Sequence, residues 1–338
     1  MSDYSVVWNS AAKTVRAHWF LFGLVLVIPL GLLAAATVVA NRVADISGRV
    51  PGSVLTAVIL FLMSATLDSR RLVAALRSPL AVLGAAGVSQ LAVPLMSLPL
   101  LPLVPDADLR LGLLIAATVP CTMAAASVWT RMANGNDAVS LLVTLLTNTM
   151  CFLVIPSWLS AALSGDDLRE VSEALAFLPM VRRLMVGAVL PALFGQAIRL
   201  LPQVRAGIDG CKKGFSNAAQ SIILYIVFLS AFSGGRELSG DAALPLLSSL
   251  VIVLSFCIGL HLAAMLLSSL LARMLQVTAE DRVAMIFAGS QKTLPVGLLV
   301  AQASGVPLAV VPILMFHASQ LFIDTWVAGR IRVRSQAP

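Results

Sequence analysis

The stretch GSQKTLPVG, residues 289–297, lies inside VAMIFAGSQKTLPVGLLVAQAS (283–304), a segment long and apolar enough to cross a bilayer. Its middle holds Gln291, Lys292 and Thr293, and Pro295 follows two residues later. A cation and a helix breaker at this depth carry a large energetic cost. A charged lysine at the bilayer centre costs from about 3 to more than 10 kcal/mol. Lys292 is too far from either end of the segment to snorkel to an interface, and no glutamate lies in any apolar segment. The nearest aspartates, Asp68, Asp137 and Asp324, fall toward segment ends, where Asp324 reads as a cap or a snorkelling group.

The rest of the chain explains why such a residue is in a membrane at all. Of 338 residues, 59% are hydrophobic and 12% charged, with a mean hydropathy of +0.95. A soluble domain of this size could not bury that much apolar surface. Ten apolar segments recur, at roughly 19–41, 53–69, 79–104, 110–132, 138–162, 177–199, 216–234, 243–272, 283–304 and 306–329. Turn and cap signals separate them: RVPG, RSP, NGND, SGDD and FSGG. Residue 306 follows SG with almost no loop, so the last two segments form a tight hairpin. The first run is too long for a signal-peptide core and reads as a retained span. The four cysteines show no metal spacing or disulfide framework and read as inert buried thiols.

A net charge of +7 and a pI of 9.8 do not mark a nucleic-acid binder, because the charge is sorted by side. With both termini cytoplasmic, 15 of the 23 lysines and arginines fall inside, 7 fall outside, and Lys292 is within the membrane. That distribution is a topology signal for an integral membrane protein with the lipid bilayer as its partner, and the expected location is a bacterial cytoplasmic (inner) membrane. Residues 1–18 read as a cytoplasmic segment, 19–330 as the membrane domain and 331–338 as a cytoplasmic tail. Ten spans divide into two halves of five, about 19–163 and 177–330. An odd number per half inverts the second half, the arithmetic of an inverted repeat. Span 4 then corresponds to span 9, and span 5 to span 10.

Polar residues concentrate in those spans. Span 4 contains Pro120, Thr122 and Ser127, and span 9 contains Ser290, Gln291, Lys292, Thr293 and Pro295. Paired proline interruptions at corresponding places point to a binding site made of broken helices. In span 5, Ser140, Thr144, Thr147, Asn148 and Cys151 share one helical face. Ser140, Thr144 and Asn148 read as site lining, whereas Thr147 reads equally as interhelical packing. His317, Gln320 and Asp324 repeat the device in span 10, with His317 near the midplane. Gln90 in span 3 and His261 in span 8 are single polar residues at comparable depths.

Over nearly its full length the chain resembles the bile acid:sodium symporter superfamily, in the branch related to the seventh member of the human family. The resemblance rests on FGLVLVIPLG, FLMSATLDSRRL (61–72), GNDAVSLLVTLLTN (135–148), TAEDRVAMIFAGSQKTLP (278–295) and VPILMFHASQLF (311–322). It implies an all-α polytopic membrane protein with ten transmembrane helices in two inverted five-helix repeats. A panel domain of helices 1, 2, 6 and 7 would move against a core of helices 3–5 and 8–10, with broken helices 4 and 9 crossing. By motif, Gln90 and Gln291 correspond to one sodium site, and Ser127, Ser140 and Thr144 to the other. Phe287 stands where sodium-coupled members carry a glutamate, and Lys292 where they carry an asparagine; Ser127 replaces an asparagine and Ala126 a serine. An intramembrane carboxylate is lost and an ammonium gained, which puts the sodium sites in question.

The expected function is secondary active transport of a small organic anion by alternating access, with no cofactor. Coupling is to sodium by resemblance or to a proton through Lys292. An ion/proton antiporter without organic substrate and a non-transporting membrane regulator are the alternatives. No HExxH motif, paired intramembrane aspartates or serine–histidine motif suggests an enzyme.

Overall fold

The computed structural model describes residues 19–35, 37, 40, 43, 50–68, 75–163, 175–237 and 243–336. The N-terminal segment 1–18, the basic pair Arg70 and Arg71, the acidic loop at 165–173 with its SGDD signal, and the last two residues of the tail lie outside the described residues. The described residues form helices and no strand.

Among the described residues, seven helices are long and apolar enough to cross a membrane: Pro79–Leu103, Asp137–Ala162, Phe177–Leu200, Lys212–Ser233, Ser248–Met274, Ala279–Ser304 and Pro307–Val333. The three other expected segments differ. Those at 19–41 and 53–69 hold shorter apolar helices, α1 (Trp19–Ala35) and α2 (Gly52–Ala65). The segment at 110–132 is divided into α4 (Ala107–Thr118) and α5 (Ala125–Met132), neither long enough alone. The remaining helices are α3 (79–103), α6 (Asp137–Ala162), α7 (177–200), α8 (Pro202–Gly210), α9 (Lys212–Glu237), α10 (Ala243–Met274), α11 (Ala279–Ser290), α12 (Leu294–Ser304) and α13 (Val310–Gln336).

Local chemistry sets the ends. Pro51 and Ser78 are the N-caps of α2 and α3, and Pro79 occupies the first turn of α3, where its missing N–H costs nothing. In NGND, Asn134 takes a positive φ of 58° and Asn136 caps α6 by accepting from Ala138 N at 3.2 Å. Asn136 also donates to Asp281 Oδ1 at 2.7 Å, tying α6 to the start of α11. The α12–α13 hairpin turns on Gly305 at φ +72°, a left-handed cap that favours glycine. FSGG does not end a helix, since α9 runs through it to Glu237. Gly235 lies against α1 there, and a Cβ at this position would stand 2.9 Å from that of Ala35. Packing between helices overrides the glycines' low helical propensity.

α1 packs along α9, and α2 against α7 and α9. A second group packs α10 with α3, α11 and α13, and α6 with α3, α5 and α11. α12 lies between the groups, touching α2, α4 and α13. Three cysteines, Cys121, Cys151 and Cys257, are buried, but Cys211, at the α8–α9 junction, is exposed rather than sequestered.

Candidate functional site

Two helix breaks meet inside the second group. The first spans 119–124. Val119 precedes a proline and is therefore driven to an extended backbone, with ψ 155°. The second spans 291–293, where Gln291 and Thr293 are extended, with ψ 145° and 135°. The prolines act differently in the two. Pro120 stands within the first break, whereas Pro295 sits in the opening turn of α12 and starts the next helix rather than kinking one.

Backbone groups in a break must find new partners, since the membrane interior supplies none. Here four consecutive carbonyls of the first break do so. Val119 O accepts from Lys292 Nζ at 3.0 Å, and Pro120 O from Thr293 N at 2.8 Å. Cys121 O accepts from Asn148 Nδ2 at 2.8 Å, and Thr122 O from Thr144 Oγ1 at 2.9 Å. Cys121 N donates to Thr147 Oγ1 at 3.2 Å. The polar face of α6 thus holds the break open, Thr147 included. In the second break, Gln320 grips Lys292 by both backbone groups. It accepts from Lys292 N at 2.8 Å and donates to Lys292 O at 2.9 Å.

Lys292 is 2% exposed and bonds to no carboxylate among the described residues. Its ammonium donates to Ser89 O, to Val119 O and, at 3.5 Å, to Ser89 Oγ. The Ser89 carbonyl is free for this because α3 contains a π-turn over Val88–Ala92. There Val93 N reaches back to Val88 O, and Pro94, next along, has no N–H. Pro94 likewise removes the donor four residues on from Gln90, and Trp158 Nε1 on α6 supplies it, at 2.9 Å from Gln90 O.

Asp324 is not at a span end. α13 runs to Gln336, so Asp324 lies within the membrane-spanning stretch, fully buried. Its Oδ2 accepts from Gln291 Nε2, and its Oδ1 lies 3.0 Å from Nε2 of the equally buried His261. Gln291 Oε1 accepts from Thr122 Oγ1, so one chain of polar contacts runs from the first break to α10. His317 is half-buried and bonded to Gln320 at 3.0 Å, with Phe20 edge-on at 6.3 Å.

Beside the breaks lies a cavity of about 290 Å³ between them and α1, α2 and α9. Thr122, Thr293 and His317 line it together with Ser216 and Gln220. So do Ala124 and Ala125 at the start of α5, and Leu294 and Pro295 at the start of α12. Neither helix has a hydrogen bond from its own N-cap side chain, although Thr122 Oγ1 accepts from Ala126 N at 3.1 Å. A second cavity of about 310 Å³ shares Ala124, Val128 and Ser216 with the first, and is lined by Ser127, Arg131, Lys212 and Lys213 with Asp68 and Asp137.

A sodium ion wants several oxygen lone pairs converging on one point. Ser127 Oγ instead donates to Ala124 O at 3.1 Å, Ser140 Oγ pairs with Thr130 Oγ1 at 2.7 Å, and Thr144 donates to the first break. Phe287, an apolar side chain with no oxygen to offer, is buried, and Gln291 is engaged at both amide atoms. Among the described residues of this set, Gln90 has a buried side chain with neither amide atom bonded. This set does not fit a sodium ion, and none of these residues is assigned as a metal ligand. Ser290 directs its hydroxyl to Ile286 O at 2.8 Å. The breaks therefore bring together Thr122, Thr144, Asn148, Ser290, Gln291, Lys292, Thr293 and His317; Ser140, Ser127 and Gln90 lie around them. Ser89, Gln320, His261 and Asp324 were the residues that sequence reasoning left out of the site.

Residues 18–333 match the family described as the SBF-like CPA transporter family. An uncharacterised Pseudomonas aeruginosa protein is 26% identical over 227 residues, covering 66% of each chain. The Arabidopsis thaliana protein named "Probable sodium/metabolite cotransporter BASS4, chloroplastic" is 29% identical over 233 residues, covering 64% of this chain and 51% of that one. The zebrafish (Danio rerio) sodium/bile acid cotransporter 7 is 25% identical over 233 residues, covering 65% of this chain and 66% of that one. The chain thus spans less than two thirds of the length of each.

Proposed function

The chain belongs to the SBF-like CPA transporter family, a family of transporters rather than enzymes, and on that premise we propose that it is a secondary active transporter of a small organic anion. The observation that carries the anion is the cavity at the breaks. The starts of α5 and α12 both face it, neither bonded by its own N-cap side chain and each presenting the positive end of a helix dipole. Behind them the Lys292 ammonium is held only by neutral oxygens, so its charge is uncompensated among its bonded partners. A bound carboxylate would be stabilised by all three, and Thr122, Thr293 and His317 supply polar contacts. The relatives' printed names, sodium/metabolite and sodium/bile acid cotransporter, support a small metabolite as cargo.

The motion is alternating access. The group of α1, α2, α7 and α9 acts as a panel against a core that contains both breaks, in a ten-helix inverted repeat with the termini on the cytoplasmic side. The cavity at the breaks shares Ala124, Val128 and Ser216 with the cavity at Lys212 and Lys213, which is the cytoplasmic mouth in this reading. Coupling is to protons rather than sodium, since the hydroxyls that would bind sodium are spent on protein partners.

Uptake of a panel of organic anions by proteoliposomes, under separate sodium and pH gradients, tests this. Uptake driven by the pH gradient and lost in Lys292→Met is expected. Uptake that requires sodium and persists in that variant would overturn it.

A further inference from the structure

We infer that His261 and Asp324 form a buried proton-binding site attached to the second helix break. The argument is a count of hydrogens. His261 Nδ1 lies 3.2 Å from Ser290 O, and a carbonyl oxygen can only accept, so Nδ1 carries a hydrogen. If the ring were neutral, Nε2 would then present a lone pair to Asp324 Oδ1 at 3.0 Å, and an ionised carboxylate would present another. That contact is attractive only with a proton between the two atoms. The far carboxylate oxygen is fixed as an acceptor by Gln291 Nε2. The Gln291 amide stands with its Oε1 toward the Thr122 hydroxyl, which donates to it. With the Gln291 amide in this orientation, the arrangement holds a single proton more than a neutral imidazole beside a carboxylate.

Release of that proton has a defined consequence. The neutral ring keeps the hydrogen on Nε2, donating to the carboxylate, and Nδ1 gives its hydrogen up to solvent. Nδ1 then faces Ser290 O lone pair to lone pair, and the contact breaks. Ser290 is the last residue of α11, directly before the break that carries Lys292. Proton loss therefore breaks this one polar contact between α10 and the end of α11. Both side chains are fully buried, so the proton is occluded in this conformation and exchanges only when α10 and α13 part from the break.

The surrounding titratable groups are engaged elsewhere. Lys292 is bonded to Ser89 and Val119, His317 to Gln320, and Cys257 Sγ to Pro312 O at 3.6 Å. Cys121 Sγ lies 3.8 Å from Thr122 O. α3 and α12 carry no titratable residue; Asp108 and Arg110 sit in the first turn of α4, and Glu280, Asp281 and Arg282 in the first turn of α11. On α13, Arg330 stacks over Trp326 at 4.8 Å, and Arg332 lies farther toward its end. On α10, Arg273 is in the last turn, and on α5, Arg131 faces Asp137 at 3.5 Å.

The site stands on this geometry; only its role as the coupling site rests on the transporter reading. The test is a pH titration of the full chain in nanodiscs by ¹⁵N-histidine NMR, with three histidines to resolve and His261→Gln to assign the signal. The expected result is a His261 signal that is Nδ1-protonated at the acid end and switches to the Nε2–H tautomer at the alkaline end. In Asp324→Asn, the amide can donate to Nε2, so the ring should stay neutral and Nδ1-protonated with no switch. Potentiometric counting should show one proton fewer released by Asp324→Asn and by His261→Gln. A His261 titration unchanged in Asp324→Asn, or an Nδ1 that is bare at every pH, would overturn the site. A titration that persists in protein moving no anion supports the site and removes the transporter reading; a missing titration in protein that does move anions does the reverse.

Discussion

Replacing Lys292 by methionine separates a structural lysine from a functional one. Methionine keeps the stem's length and apolar contacts but has no donor, so Ser89 O and Val119 O lose their partner. Two orphaned buried carbonyls cost about 2–6 kcal/mol together. Against this, the substitution removes an ammonium whose burial costs from about 3 to more than 10 kcal/mol. No carboxylate bonded to Lys292 offsets that cost, and the neutral oxygens around it recover only part. The balance lies near zero or favours the variant. Thermal unfolding of the purified protein should therefore give a midpoint for Lys292→Met no lower than wild type, while anion uptake falls at least about tenfold, the equivalent of 1.4 kcal/mol of lost binding. A variant destabilised by more than about 3 kcal/mol would refute the reasoning, because the carbonyl bonds would then outweigh the burial of charge and Lys292 would be a structural clamp.

Gln320→Leu removes both partners of the Lys292 backbone and should cost about 2–4 kcal/mol, read as a lower unfolding midpoint; an unchanged midpoint would mean that the second break is held by other means. At the α8–α9 end, Asp209 accepts from Arg199 Nη1 at 3.0 Å and pairs with Lys212 Nζ at 3.1 Å. The Arg199 hydrogen bond first, and Lys212 after it, hold its carboxyl below the ordinary 3.8. A depressed carboxylate contributes stability that is present above the unfolded value and lost as pH falls through the folded one. Wild type should therefore lose stability on acidification below 3.8, and Asp209→Asn should show a flatter acid limb in unfolding midpoints measured across that range; identical limbs would show that the pair adds nothing.

Much of the architecture was legible because bilayer length and apolar composition are strong signals. Pro120 and Pro295 marked both breaks, and the spacing of Ser140, Thr144, Thr147 and Asn148 placed them on one face. That face serves the first break, where Thr144, Thr147 and Asn148 each bond to it. The partners of Lys292 were not legible, since a backbone carbonyl freed by a π-turn leaves no side-chain signature; Pro94 was the only trace. Asp324 read as a cap or a snorkelling group because its partners, Gln291 and His261, lie 33 and 63 residues away in the chain. The spacing of His317, Gln320 and Asp324 already carried the signal that corrects it. His261 looked solitary because its partners are 29 and 63 residues away in the chain.

The most direct test of the central claim is uptake of organic anions by proteoliposomes holding the purified full chain, with a pH gradient and a sodium gradient imposed in turn. The account predicts accumulation under the pH gradient in sodium-free buffer, abolished by Lys292→Met. Accumulation that appears only with a sodium gradient and survives that substitution would contradict it.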